Sequence, residues 1–569
     1  MKTITPYVAL LCALASACDD NSGSDVESPD GAAVQTPDGG ADEDGGDAGG
    51  GGTIVNGKPH VVIGDGELEG ITESNDTYAF MGVPYAKPPV GDLRWKLPVK
   101  SEAWTGVRDA SKYGQRCAQL ESTVLQNAAS DTEDCLYLNV WTPELSPSKP
   151  LPVLFWIHGG GNVNGSASEP VPYTGGMGQF YNGKALAERD VVVVTFNYRL
   201  GAFGFFAHPS VAGESGGAAG NQGLYDQAAA LEWVKANIGK FGGDPGKVTI
   251  FGESAGSLDV CFHMTSPKSR GLFHGAISQS GGCTTKHKTL EQGRSEQGAR
   301  LATALGCEAA DVACLRGKKT SEILAVTTGG TGPVYSPVVE GAGGFLPDQP
   351  RAQFDSGNVA KVPYILGSNT DEGTLFTVVA NIPDEAALIA ALQRDLMTTD
   401  ASLILAAYPA DKFTGPTAQK DRYARILGDA RLVCSTYDSS IRAAAESSGI
   451  PAVWTYNFDV PVVIPSMPAL KLGSTHGAEL TYVFGSSPGF VAGSPSFNAD
   501  GKAISDRLIT YWTNFAKTGN PNGGGELEWP KFTSGANQRI NFAAQTTVVS
   551  DFRKSECELW MAGYARQFQ

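Results

Sequence analysis

This 569-residue sequence has no basic stripe of the kind that follows a phosphate backbone, which argues against nucleic acid as a partner. Its formal charge of −17 is unevenly spread: residues 19–52 hold ten acidic side chains and no basic one. Residues 53–569 carry 42 Lys and Arg against 50 Asp and Glu, a charge of −8 that suits an ordinary soluble surface. Apolar runs long enough to cross a bilayer are also missing, and the opening "MKTITPYVALLCALASACDD" is too short to be one. Histidine is scarce, at seven residues, which limits the choice of a general base.

The opening instead reads as a secretory signal, with one lysine, a short apolar run and small residues ahead of Cys18. "LASAC" resembles a bacterial lipobox, which would make Cys18 a lipidated first residue, although Ala15 stands where leucine is commoner. The alternative is an ordinary signal peptide cut nearby. Lipidation would anchor the protein at the cell envelope; without it, the protein would be secreted. The acidic, glycine-rich segment ending "DGGADEDGGDAGGGG" lacks the apolar content to fold and reads as a tether spanning roughly 30 Å by random-coil scaling. The expected organisation is a signal peptide at 1–17, a tether at 18–52 and a single domain at 53–569. Setting aside Cys12 and Cys18 leaves eight cysteines, an even number in a chain whose export permits disulfides.

Apolar, β-branched runs recur through the body: "LPVLFWIHGGG", "DVVVVTFNYR", "KVTIFGES", "GAISQSG", "VPYILGSN" and "VWTYNF". Helix-like stretches, such as Gln227 to Ile238 and Glu291 to Leu305, lie between several of them. Short apolar strands alternating with helices predict an α/β fold with a mostly parallel sheet covered on both faces. Chemistry in such sheets collects at the carboxyl ends of the strands.

Gly-x-Ser-x-Gly should arise by chance on the order of once in a chain this rich in glycine. Three copies occur, at "GESGG" (213–217), "GESAG" (252–256) and "GSSPG" (485–489), and only the one holding Ser254 follows a strand-like run. A strand entering a helix through that turn strains the serine backbone and lifts its hydroxyl above the sheet, a nucleophile elbow. Glycine at 252 and 256 allows strands and helix to approach closely. Elbow hydrolases run nucleophile, acid, histidine along the chain, and after room for the acid only His476, in "STHGAELTYVFG", remains. "VPYILGSNTDEG" offers Asp371 and Glu372 as the acid, with Asp459 a weaker third; neighbouring acids point different ways, and the residues leave the choice open. "WIHGGGN" places Gly159, Gly160 and Gly161 after a strand, where unobstructed amides could receive an oxyanion.

These residues resemble the type B carboxylesterase family, which includes cholinesterases, carboxylesterases and some lipases. The match runs from about residue 58 to the C-terminus. It includes "GVPYAKPPVGDLRW", "EDCLYLNVWTP", "NYRLGAFGF", "GNQGLYDQ", "FGGDPGKVTIFGESAG", "GLFHGAISQSG" and "NFAKTGNPN". The resemblance implies an α/β-hydrolase that cleaves esters through an acyl-enzyme, with Ser254 as nucleophile, His476 as base and Glu372 as acid. It also implies oxyanion donors at Gly160, Gly161 and Ala255, no metal or cofactor, and Glu253 and Ser280 as supporting groups near nucleophile and acid. Disulfides Cys117–Cys135, Cys307–Cys314 and Cys434–Cys557 and ion pairs Arg94–Glu133 and Arg199–Asp226 follow from it too, leaving Cys261 and Cys283 to pair or stay free.

Departures bear on substrate. Asn162 follows the oxyanion glycines where an aromatic is common, and should make that wall more polar. Leu125 stands where cholinesterases carry a choline-stacking tryptophan, which argues against acetylcholine. The segment "EPVPYTGGMGQFYNG" (169–183) should shape the pocket mouth. The expectation is a hydrolase of small to medium, uncharged esters. The alternatives are a lipase, a detoxifying or polyester esterase with the same chemistry, or a neuroligin-like adhesion protein.

Overall fold

Runs of β-branched and aromatic side chains become strands because they fit a pleated surface buried on both sides. The computed structural model describes residues 51–73, 77–122, 128–170, 179–214, 219–308, 310–327, 335–396, 398, 401–462, 470–486 and 497–566. The signal segment with Cys12, Ala15 and Cys18, the tether before Gly51, Leu125 and residues 171–178 lie outside them.

Strands are numbered in chain order. A small sheet holds β1 (Thr53–Val55), β2 (Lys58–Ile63), β3 (Gly66–Glu69) and β6 (Val107–Asp109). The main sheet starts with β4 (Ile71–Thr72), β5 (Tyr78–Pro84), β7 (Tyr137–Thr142), β8 (Leu151–Ile157) and β9 (Val192–Phe196). It continues with β10 (Gly243–Glu253), β11 (Gly275–Gln279), β12 (Tyr364–Asn369), β13 (Val453–Phe458), β14 (Gln538–Phe542) and β15 (Thr547–Ser550). Its order is β15-β14-β13-β12-β11-β10-β8-β9-β7-β5-β4. Every pairing from β14 across to β9 is parallel, and the pairings at both edges are antiparallel. The six apolar runs are the six strands β8 to β13.

Side chains alternate between two cores. Val153, Phe155, Ile157 and Ile250 enter one, and Leu154, Trp156, Phe251 and Ile277 enter the other. The first expected helix starts earlier than its pattern, at Gln222, and ends at Asn237. The second runs from Leu290 to Ala304 through a π-helical stretch, Arg294–Ala299. Among the described residues no helix is long and apolar enough to cross a membrane.

Four disulfides join Cys117–Cys135, Cys261–Cys283, Cys307–Cys314 and Cys434–Cys557. The question left open by the sequence is thus resolved: Cys261 pairs with Cys283, tying helix Ala255–Thr265 to the segment after β11. Both expected ion pairs form as two-pronged contacts, Arg94 with Glu133 and Arg199 with Asp226.

Register brings the strand ends level. Gly252 pairs with Ile157 on one side and Ser278 on the other, and Glu253 and Gly367 both pair with Gln279. The loops that begin at His158, Ser254, Ser280 and Thr370 therefore leave the sheet along one edge.

Candidate active site

Ser254 has φ 58° and ψ −122°, a left-handed conformation that costs a non-glycine residue on the order of 1–3 kcal/mol. The surroundings enforce it. Ser254 N donates to Gln279 O at 2.9 Å, and Leu258 N returns to Ser254 O at 3.1 Å, so the chain turns from strand to helix around this residue. The flanking glycines answer to space: a Cβ on Gly256 would sit 2.1 Å from Ile157 O, and one on Gly252 would sit 2.5 Å from Gly256 O. No other residue type fits between β8 and the helix. Helix Ala255–Thr265 points its N-terminus at the turn, which favours negative charge there.

The loop after β8 supplies backbone donors. Gly160 (φ 101°) and Gly161 (φ 66°) adopt conformations that leave their N–H groups unused, and Ala255, the first residue of its helix, does the same. Among the described residues none of these three N–H groups has an acceptor.

His476 sits in the loop after β13. Its Nδ1 lies 2.7 Å from Glu372 Oε2, while Glu372 Oε1 accepts from Asn369 N at 2.7 Å. Asp371, the neighbouring candidate, is turned away, bonded to Arg425 at 2.9 Å and to Ser474 N at 3.0 Å. Asp459 uses its backbone to join Phe542 at 2.7 Å and does not enter this pair. One expected link stays open. His476 Nε2 has no hydrogen-bond partner among the described residues; it faces Glu253 Oε1 at 3.1 Å instead of closing on Ser254. The position of a Gly159 Cβ lies 3.0 Å from Glu253 Oε2 and 3.1 Å from Ser254 Cβ, so the Glu253 carboxyl and the Ser254 side chain both border the start of the glycine loop.

Electrostatics follow from this crowding. Burial alone would lower the His476 imidazole, but the Glu253 and Glu372 carboxylates outweigh it and raise it to about 9. Burial pushes Glu253 up to about 8, against the pull of His476 and with help from Glu479 and Glu372. The two groups titrate as a unit: a proton on Glu253 removes one of the charges that favour the imidazolium. Ser280 follows β11 with φ 59° and donates its N–H to Gly367 O at 2.8 Å, while its hydroxyl has no partner among the described residues.

Several supporting residues escaped the sequence reading. Asn369 Nδ2 donates to Thr475 O at 2.8 Å and to Glu479 Oε2 at 2.7 Å. Gln279 Nε2 donates to Glu479 Oε1 at 3.1 Å, and Trp512 Nε1 donates to Gln279 Oε1 at 3.1 Å. The histidine loop is thereby fastened to β11 and β12 on both sides of His476. An acid three positions beyond the candidate base was the available signal. Asn162 also departs from expectation: its side chain turns inward to Tyr198 and Asp259, and so does not make a polar pocket wall.

Residues 57–560 match the sequence model of the Carboxylesterase family. The medium-chain fatty acyl-CoA hydrolase precursor of Anas platyrhynchos is 34% identical over 546 residues, covering 89% of this chain and 92% of the relative. The fumonisin B1 esterase of Sphingopyxis macrogoltabida is 35% identical over 485 residues, 82% of this chain and 83% of the relative. The cocaine esterase of Homo sapiens is 35% identical over 520 residues, 86% and 88% of the two chains.

Proposed function

We propose, since this chain belongs to the Carboxylesterase family and is an α/β-hydrolase that cleaves carboxylic ester bonds, that Ser254 is its nucleophile, His476 its general base and Glu372 the acid that orients the imidazole. The observation that carries these roles is the 2.7 Å bond from His476 Nδ1 to Glu372, held at the strand edge where Ser254 occupies its strained turn.

Glu372 accepts from Nδ1–H and so leaves Nε2 free to take a proton. In the reacting arrangement the imidazole Nε2 turns from Glu253 to the Ser254 hydroxyl. Ser254 Oγ adds to the ester carbonyl while His476 takes its proton, and the carbonyl oxygen becomes an oxyanion received by the N–H groups of Gly160, Gly161 and Ala255. As that intermediate collapses, His476 Nε2–H protonates the leaving alcohol and an acyl-enzyme remains. Water, deprotonated by the same nitrogen, then releases the acid and restores the serine. The preferred substrates are small to medium, uncharged esters, in keeping with the sequence's lack of an aromatic cation platform at Leu125.

The chain is an exported protein of three parts: signal peptide at 1–17, tether at 18–52 and catalytic domain at 53–569, with Cys18 lipidated at the cell envelope. Hydrolysis of p-nitrophenyl butyrate tests the chemistry. Ser254→Ala should lose about three orders of magnitude or more in kcat and all labelling by a fluorophosphonate probe. Equal rates in wild type and variant would exclude Ser254 as the nucleophile. Rates across C2 to C16 esters then define acyl-chain preference.

A further inference from the structure

The oxyanion loop is held from behind by two side chains that the ester-cleaving scheme does not use. Asn162 follows the two glycines, is buried, and itself has φ 58°, so three successive residues of the loop are left-handed. Its backbone carbonyl accepts from Gly201 N at 2.7 Å. Its side-chain Oδ1 accepts from the Tyr198 hydroxyl at 3.0 Å, and its Nδ2 donates to Asp259 Oδ1 at 3.1 Å. Asp259 is fully buried and stands on the helix that begins directly after Ser254.

Asp259 is an acceptor from both directions. Its second oxygen accepts from Gln227 Nε2 at 2.7 Å. Gln227 Oε1 faces His263 Nε2 at 2.9 Å, and His263 Nδ1 faces the Ser269 hydroxyl at 2.6 Å. Burial holds that imidazole neutral, so Ser269 donates to Nδ1 and Nε2–H donates to Gln227. The Gln227 amide then has only its N–H to offer Asp259, which leaves the carboxylate ready to receive Asn162. The Tyr198 hydroxyl also lies 2.8 Å from His158 O, so it is shared between that carbonyl and Asn162, while the Asn162–Asp259–Gln227–His263 run has one consistent donor order.

We propose that Asn162 and Asp259 are positioning residues that hold the Gly160 and Gly161 amides at a set distance from the Ala255 amide. The inference rests on the reading of those amides as the oxyanion donors. The physical reason is simple. Two donors lie on a loop and the third on a helix, and the Asn162–Asp259 bond is a direct side-chain tie between loop and helix. Donors placed for an oxyanion act mainly in the transition state, so loosening them should lower kcat and leave KM nearly unchanged.

A reciprocal exchange tests this. Asn162→Asp alone sets two carboxylates face to face, and should lower kcat on p-nitrophenyl butyrate by about tenfold or more with KM within about threefold. Affinity for a trifluoromethyl ketone should fall in parallel. Adding Asp259→Asn reverses the polarity: the introduced carboxylate accepts from Tyr198 and from the new amide, whose oxygen accepts from Gln227. The double variant should return kcat to within about threefold of wild type. Asn162→Asp with wild-type kcat, or a double variant that melts like wild type yet stays as slow as the single one, overturns the proposal. Where the single variant does not fold, Asn162→Leu stands in: a lowered kcat at unchanged KM supports the tie, and wild-type kcat overturns it. An inactive Ser254→Ala beside an unaffected Asn162 series would remove the tie alone; an active Ser254→Ala would remove the scheme beneath it.

Discussion

Glu253 sits beside Ser254 in sequence and faces, in space, the Nε2 of His476, the nitrogen proposed to take the serine's proton, at 3.1 Å. The working base is the neutral imidazole, so any charge that raises His476 moves the acid limb of activity upward in pH. Glu253→Gln removes one such charge. The His476 pKa should fall, and the acid limb of kcat/KM should move to lower pH by about half a unit or more. A limb that stays in place in a kcat/KM profile would show that the two groups are not coupled. At this scale the sequence was readable where residues were scarce. Seven histidines left a single one in the right order, and it is the one bonded to Glu372. It was unreadable where backbone direction decided: Asp371 and Glu372 are adjacent, and only the turn after β12 sends one to the imidazole and the other to Arg425. Asn162 was misread because its partners, Tyr198 and Asp259, are distant in sequence and draw its side chain inward.

Elements were legible in proportion to their burial. The strands β8 to β13 are covered on both faces and read as unbroken apolar runs, whereas the short strands of the small sheet are partly exposed and carry no such mark. The helix after Ser254 is secured at its N-terminal turn by close contact with β8 and further along by the Cys261–Cys283 disulfide. That bridge closes a loop with a sequence separation of 22. Replacing both cysteines by alanine should cost about 2–4 kcal/mol, read as a lower urea midpoint at constant slope. An unchanged midpoint would mean that packing alone holds the helix. The even cysteine count predicted that pairing was possible, but proximity of the two thiols depends on how the helix crosses the sheet, which no local pattern encodes.

At the scale of the whole molecule, charge and chemistry are segregated. Ten acidic side chains crowd residues 19–52, and the folded body carries the remaining charge nearly balanced. Acting as the proposed tether, this segment should keep the catalytic domain clear of a surface without contributing to catalysis. Removing residues 1–52 should therefore leave kcat/KM within about twofold of the full chain. With Cys18 lipidated as proposed, wild type should sediment with membranes and Cys18→Ser should move to the soluble fraction with the same specific activity; a variant that still sediments with membranes would exclude Cys18 as the anchor point.

The level ends of β8, β10 and β12, with the loop after β13, carry residues 160, 254, 372 and 476, drawn from across most of the chain. On the proposed roles, a ribosome has to finish more than four-fifths of the polypeptide before His476, the last of the three catalytic groups, exists. Every product that stops before His476 should then be catalytically silent, whatever portion of it has folded. The appearance of hydrolysis should thus report synthesis and folding past His476, without any structural probe.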